Sequence, residues 1–351
     1  MGALHHMTPM RSSLPTAFEF RLLNDFQRDF PLVPRPFAEL GRRLDADEST
    51  VIEALRGLRE QGVVSRIGAV FRPNVVGVSA LAALAVAPGR LDEVAAQVSA
   101  LAEINHNYQR EHRFNLWFVA TTSTAAQLHA TLQAIEARCG CGPVLVLPLL
   151  EQFHIDLGFC LARPDPTTVT RPTAGARAVT AISLTGAQQQ LVARLQQGIP
   201  LATHPFAALG WAEIDAIDLL SRWTSDGVIS RFGVVVRHHE LGYTANAMVV
   251  WDVPDAQVSQ VGRRMAESGV VSLCYRRPRV QPHWPYNLFC MLHGKDRDEV
   301  KLRIAALADT CGLADYPFEI LFSCRRFKQR GAQYVSSGQP ITLAQTSHGP
   351  N

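Results

Sequence analysis

Apolar residues first recur along the chain at helical spacing. Phe20, Leu22, Leu23 and Phe26 open one amphipathic helix, Phe37, Leu40 and Leu44 mark a second, and Val51, Ile52, Leu55 and Leu58 a third, the period expected when one helix face is buried. Ser49 stands where an N-cap of the third helix belongs, and Gly62 closes it. Three short helices with tight turns predict a winged-helix or helix-turn-helix unit. Past Gly62 the pattern changes to short β-like runs. Ile67 to Phe71 read as a wing or hinge. Leu81 to Ala87, Ile104 to Arg110, Phe114 to Thr121 and Val144 to Leu149 read as strands, with helices near Leu91 to Leu101 and Ala125 to Ala137. The last four strands and two helices follow the order β-α-β-β-α-β, a ferredoxin-like fold.

The plan then repeats. Pro36-Phe-Ala-Glu-Leu-Gly41 returns as Pro205-Phe-Ala-Ala-Leu-Gly210, and Gly62-Val-Val-Ser-Arg-Ile-Gly68 as Gly227-Val-Ile-Ser-Arg-Phe-Gly233. Downstream, Tyr108-Gln-Arg110 and Phe114-Asn-Leu116 correspond to Tyr275-Arg-Arg277 and Tyr286-Asn-Leu288. Ordered matches of this kind mean a tandem duplication. The predicted fold is α+β: a helix-turn-helix unit plus a ferredoxin-like unit, twice, about a pseudo-twofold axis. The expected domains are 16–66 and 67–162 for the first copy, 185–231 and 232–330 for the second. A Pro-, Thr-, Ala- and Gly-rich linker is expected over 163–184, and a C-terminal tail over 331–351.

Composition narrows the function. With 351 residues, 47% hydrophobic and 19% charged, the chain can bury more than one core. A formal charge of +3 falls short of the field that non-specific DNA binding needs, and leaves room for an anionic small molecule. Seven cysteines, an odd number without paired metal spacing, fit a reducing compartment, and Cys139 and Cys141 form a C-x-C lacking two further ligands. There is no apolar run of membrane-spanning length and no signal-peptide pattern, so a cytoplasmic location is expected. The Met1 to Met7 segment reads as an appended or frayed end, which removes His5 and His6 from the chemistry.

The chemistry concentrates on the third strand region of each ferredoxin-like unit. The first copy reads Ile104-Asn-His106-Asn-Tyr108-Gln-Arg110-Glu-His112-Arg-Phe-Asn115-Leu-Trp117. Alternation along a strand puts His106, Tyr108, Arg110 and His112 on one face. Two imidazoles, a phenol and a guanidinium make a poor core but a good lining for an anionic, proton-exchanging ligand. The bland alternative is a solvated face of an antiparallel sheet. The second copy keeps Tyr275 and Arg277 in register but neither histidine. Its prolines predict a stiff loop carrying Arg279, His283 and Trp284, and the cluster of Arg276, Arg277 and Arg279 favours multidentate carboxylate recognition. His154 either joins the same cavity or ends the last strand of its copy. Arg66 and Arg231, which recur after the third helix, fit an interdomain salt bridge as well as ligand binding. Asn115 and Asn287 recur as structural hydrogen-bonders, and Trp117 is most simply core.

A helix-turn-helix followed by a ferredoxin-like unit resembles the Lrp/AsnC transcriptional regulators, which implies a rival reading as a regulator that binds DNA and a tetrapyrrole or small effector. The helices that would enter the groove speak against it. The segment from Gly210 to Gly227 is four residues shorter than that from Gly41 to Gly62, and it carries Glu213, Asp215 and Asp218 where phosphates would call for cations. In the first copy Asp45, Asp47, Glu48 and Glu53 offset Arg42, Arg43 and Arg56. No DNA and no membrane partner is therefore expected.

The pairing of N-H-N-Y-x-R-E-H-x-x-N-L-W-F with Y-R-R-P-R-x-x-P-x-W-P-Y-N-L-F resembles the siroheme decarboxylases, over nearly the whole chain apart from its ends and linker. The resemblance implies removal of carbon dioxide from two acetate side chains of siroheme to give didecarboxysiroheme, in a fused form like that of heme d1 biosynthesis. It implies related decarboxylase subunits as relatives, an intramolecular pseudo-dimer with a homodimer of whole chains left open, and no cofactor beyond the iron carried by siroheme. Roles follow from that chemistry. Arg110, Arg276, Arg277 and Arg279 are expected to clamp carboxylates, with His154, His283 and Trp284 contributing to substrate binding. His106 and His112 are expected to donate protons or, for one of them, to be an axial iron ligand, and Tyr108 and Tyr275 to position or protonate the reacting group. His112→Ala is expected to abolish turnover and leave the fold intact.

Overall fold

The computed structural model of the chain describes residues 15–155 and 180–334. The N-terminal Met1 to Met7 segment, most of the expected linker and nearly all of the expected tail lie outside the described residues.

The first helix-turn-helix unit comprises α1 (Ala17–Asp25), α2 (Pro36–Leu44) and α3 (Glu48–Glu60). Thr16 and Glu19 form a capping box on α1, and Pro36 opens α2 where a missing N–H costs nothing. The cap of α3 is Asp47, not Ser49: its carboxylate accepts the Thr50 N–H at 2.7 Å, and Ser49 Oγ donates to that same carboxylate. A carboxylate at this position also meets the positive end of the helix dipole, which a hydroxyl does not.

The chain then enters β1 (Val64–Phe71), β2 (Val78–Leu84), α4 (Leu91–Ala100), β3 (Ile104–Arg110), β4 (Leu116–Thr122), α5 (Ala125–Cys139), β5 (Leu145–Pro148) and β6 (Glu151–Ile155). The second copy gives α6 (Gly186–Leu195), α7 (Glu213–Ser225), β7 (Ile229–Val236), β8 (Ala245–Trp251), α8 (Val258–Glu267), β9 (Leu273–Arg276), β10 (Leu288–Gly294), α9 (Arg297–Cys311) and β11 (Phe318–Gln329). Where the first copy has α2, the second has only a 3-10 turn, Ala207–Leu209, ended by Gly210 at φ +74. The second copy, shortened just beyond this turn, lacks that helix.

The two helix-turn-helix units share one core. β1 and β7 form a two-stranded antiparallel ribbon with Gly68 opposite Gly233, and Phe30 packs on Phe232 and Phe71 on Trp223 across the copies. Gly233 permits the contact: a Cβ there would lie 2.3 Å from the Gln27 carbonyl oxygen at the end of α1. Arg66 and Arg231 sit on this ribbon. They donate to the backbone carbonyls of Ala69 at 2.8 Å and Gln27 at 2.9 Å, the latter joining the two copies, and neither lines the cavity between the ferredoxin-like units.

The ferredoxin-like units join as a pseudo-dimer by exchanging their last strands. The sheet order is β5-β2-β4-β3-β11-β8-β10-β9-β6. β11 pairs with β8 over Phe318 to Phe322 and with β3 of the other copy over Ser323 to Gln329. Its counterpart is interrupted at Leu149 and Leu150, so that β5 pairs with β2 and β6 with β9 of the other copy. Each unit buries its helices on one sheet face. On the opposite faces a fourth core forms between the sheets, where Ala83, Trp117, Leu145 and Leu147 of the first copy meet Met248, Val250, Trp284 and Phe289 of the second. Asn115 and Asn287 brace the two copies identically. Asn115 bonds the N–H and C=O of Val86 at 2.9 and 2.8 Å, and Asn287 those of Val253 at 3.0 and 2.8 Å.

Candidate functional site between the two sheets

Alternation along β3 sends His106, Tyr108 and Arg110 toward the seam between the sheets, where they line a cavity of about 310 Å³. That volume lies at the lower end of the range usual for small-molecule sites. From the second copy come Tyr275 and Arg277, with Asn246 of β8, Met291 and His293 of β10, and Arg325, Arg326 and Gln329 of β11. Trp117, buried as expected, forms part of the wall.

The two copies present Tyr108–Arg110 and Tyr275–Arg277 in equivalent registers, Tyr108 opposite Trp117 and Tyr275 opposite Phe289. Their arginines repeat one bond. Arg110 Nη1 donates to the Leu321 carbonyl at 2.9 Å, and Arg277 Nη1 to that of Leu147 at 2.5 Å, each reaching across to the other copy. Arg110 lies 5.8 Å from the Tyr108 ring centroid, and Arg277 lies 5.0 Å from that of Tyr275. The Arg277 Nε is buried without a hydrogen-bond partner.

No Asp or Glu stands among the lining residues, whereas four arginines and two histidines do. Burial lowers Arg110 and Arg277 to about 10, so both stay cationic at neutral pH. Burial also lowers His106 and His293 to about 4, the latter helped by the nearby charges of Arg110 and Arg303. Both imidazoles are therefore neutral at neutral pH. Tyr108 and Tyr275 are raised by the same burial and keep their phenolic protons. Arg325 and Arg326 are partly exposed and pair with Asp92 and Glu240, so the buried cations are Arg110 and Arg277; with neutral proton carriers beside them they suit an anion that exchanges protons.

Several expected members lie elsewhere. β3 ends at Arg110, so the alternation fails before His112, which turns instead into the seam beside Trp284. There His112 Nδ1 accepts the Phe114 N–H at 2.9 Å and Nε2 meets Glu319 at 3.0 Å, while the Tyr286 hydroxyl donates to the same carboxylate at 2.7 Å. His112 does not line the cavity. Arg276 and Arg279 are also outside it, because acidic partners from the β8–α8 connection hold them. Arg279 pairs with Asp252 at 2.6 Å and Asp255 at 2.7 Å, and Arg276 with Asp255 at 3.1 Å. Trp284 is fully buried in the inter-sheet core, and His283 is exposed on the proline-rich loop, its carbonyl bonded by Arg113. His154 is buried within β6 opposite Cys274 and does not reach the cavity. Of the expected set, His106, Tyr108, Arg110, Tyr275 and Arg277 come together.

His293, Asn246 and Arg326 escaped sequence reasoning. Stepping by two along β10 from Phe289, the counterpart of Trp117, reaches Met291 and then His293, so strand alternation carried that signal. Arg326 was hidden in the exchanged strand, whose partner in the other copy is not predictable from local pattern.

Residues 76–154 and 240–328 match the family model of the AsnC-like ligand binding domain, and residues 19–64 that of the siroheme decarboxylase NirDL-like HTH domain. The chain is 44% identical over 318 residues to the siroheme decarboxylase NirDL subunit of Paracoccus denitrificans, covering 90% of this chain and 96% of that protein. It is 46% identical over 149 residues to the siroheme decarboxylase NirD subunit of Stutzerimonas stutzeri, which corresponds to 42% of this chain and 97% of that subunit. The crystal structure of the siroheme decarboxylase NirDL is similar at a TM-score of 0.67 and 30% identity, covering 91% of this chain and 94% of that one. A second crystal structure of that enzyme, in co-complex with an iron-uroporphyrin III analogue, gives a TM-score of 0.64 at 28% identity over 91% and 94% of the chains.

Proposed function

The chain belongs to the family of siroheme decarboxylase NirDL proteins, and from that premise we propose that it removes carbon dioxide from acetate side chains of siroheme, giving didecarboxysiroheme for heme d1 biosynthesis. The observation that carries this reading is the pair of buried cations Arg110 and Arg277, one from each copy, in a cavity whose described lining residues include no carboxylate. A tetrapyrrole bearing many carboxylates is the complement of such a wall. The iron-uroporphyrin III analogue bound to the related enzyme is a ligand of the same class.

Loss of carbon dioxide from a methylene on a pyrrole leaves an electron pair at carbon. The conjugated macrocycle accepts that density, so the substrate supplies its own electron sink and no further cofactor is needed. The protein's tasks are to orient the carboxylates, exclude water and deliver a proton to the new methyl carbon. Arg110 and Arg277 face the ring from opposite copies as fixed cations, already ordered by their carbonyl bonds. His106, neutral before binding, gains a proton as carboxylates approach and returns one to carbon. His293 is the second imidazole placed to do so, with Ser272 Oγ 2.9 Å from its Nδ1. Tyr108 and Tyr275 position the reacting group. Neither histidine keeps the alternative role of axial iron ligand in this reading: His112 is off the cavity wall, and an imidazole that gains and returns a proton has no lone pair left for iron.

The pseudo-dimer is intramolecular, and relatives the size of one copy exist as NirD and NirL subunits. A homodimer of whole chains and a cytoplasmic location are part of the proposal. Among the described residues no helix is long and apolar enough to cross a membrane. The test is anaerobic incubation with siroheme and mass analysis of the tetrapyrrole. Stepwise loss of one and then two molecules of carbon dioxide is expected, and siroheme recovered intact from folded protein would overturn the reading.

A further inference from the structure

The cavity arginines differ in what they touch. Among the described residues Arg110 and Arg277 bond backbone carbonyls and pair with no carboxylate, whereas Arg326 pairs with Glu240 and Arg325 with Asp92. Arg326 stands on β11 opposite Tyr108, with Nη1 donating to Gln329 Oε1 at 3.1 Å and Nη2 to Glu240 Oε1 at 3.0 Å. The pair is open to solvent, its side chains 33% and 34% exposed. Glu240 belongs to a 3-10 turn, His238–Leu241, that runs through Gly242 at φ +87 to Thr244, itself on the cavity wall.

The duplication shows that fold does not require this cation. The register that sets Arg326 opposite Tyr108 sets Gln152 opposite Tyr275 in the other half. Gln152 does not line the cavity, and Arg326 does. The guanidinium and its carboxylate are thus particular to one side of the site.

We infer that Glu240 is an internal stand-in for one substrate carboxylate: it pairs with Arg326 until a side-chain carboxylate of the incoming tetrapyrrole takes its place. This rests on the reading of the cavity as the siroheme seat. One carboxylate–guanidinium pair is exchanged for another, so the net gain at Arg326 is small while the selectivity is kept. A ring without a carboxylate at that position has nothing to offer in exchange. Glu240 therefore weakens binding of the correct substrate and excludes rings that lack the group.

A double-mutant cycle tests this, with siroheme affinity measured anaerobically by absorbance titration of the wild type, Glu240→Gln, Arg326→Gln and the double variant. Glu240→Gln is expected to tighten binding about 2- to 5-fold, the range set by a partly exposed ion pair. Arg326→Gln is expected to weaken it, and Glu240→Gln to have no effect once Arg326 is gone. Unchanged or weaker binding in Glu240→Gln would overturn the inference, as would equal tightening without Arg326, which would mark a general charge effect. Failure of the wild type to bind siroheme would bring down the siroheme reading as well, whereas the other adverse outcomes touch Glu240 alone.

Discussion

The cavity should take up protons as its substrate binds. Burial holds His106 at about 4, so at neutral pH the imidazole is uncharged before siroheme arrives. A carboxylate about 4 Å away in surroundings of effective dielectric about 20 favours the charged form by about 4 kcal/mol. At 1.36 kcal/mol per pKa unit this is a rise of about 3 units, to about 7. Roughly half of the bound complexes then carry the extra proton on His106 at pH 7, against about one in a thousand of the empty molecules. His293 starts from the same value, about 4, and adds to the uptake if a carboxylate reaches it. Anaerobic calorimetric titration with siroheme in phosphate and in Tris, whose ionisation enthalpies differ, reads the number of protons directly from the change in observed heat. An uptake of about 0.5 to 1 proton per siroheme is expected at pH 7, reduced in His106→Gln. Zero uptake, or an uptake that His106→Gln leaves unchanged, would refute the assignment of His106 as the proton carrier.

The same histidines make the empty protein sensitive to acid. Their folded values of about 4 lie below the unfolded value, so the unfolded chain binds protons first and stability is lost as pH falls from about 6.5 toward about 4. At pH 5 each contributes a loss of up to about 2 kcal/mol, less where cavity water screens the charge, and urea melts of wild type and His106→Gln at pH 7 and pH 5 measure the difference. Asn287→Ala strands the buried N–H and C=O of Val253, and should lower stability by about 3 kcal/mol in chemical denaturation, with Asn115→Ala showing a similar loss. His106→Ala should slow decarboxylation by at least about 100-fold. His112→Ala, which breaks the Glu319 contact in the seam, should instead lower the unfolding midpoint and slow single-turnover decarboxylation far less. Equal kinetic losses in the two variants would place His112 in the chemistry.

Much of this architecture was legible in the chain because duplication prints each element twice. Tyr108–Arg110 and Tyr275–Arg277 could be aligned by eye, and alternation then placed His106, Tyr108 and Arg110 together. The same rule misplaced His112, since alternation holds only while the strand lasts and β3 stops at Arg110. Arginine density misled for a different reason. Arg276 and Arg279 look like free carboxylate clamps until Asp252 and Asp255, more than 20 positions earlier, fold against them. Ion pairing across such a separation leaves no local trace. The exchange of β11 and of β6 between copies is likewise a tertiary choice, and it alone brings Arg326 beside Tyr108. Asn115 and Asn287 were legible because both must satisfy a backbone N–H and C=O at the same corner.

The most direct measurement is an anaerobic crystal structure with siroheme bound. The macrocycle should lie between the sheets, within reach of His106 and His293, with its carboxylates on Arg110, Arg277 and Arg326. A ring seated against His112 and Glu319, away from His106 and His293, or outside the pseudo-dimer altogether, would contradict the assignment of this cavity as the site of decarboxylation.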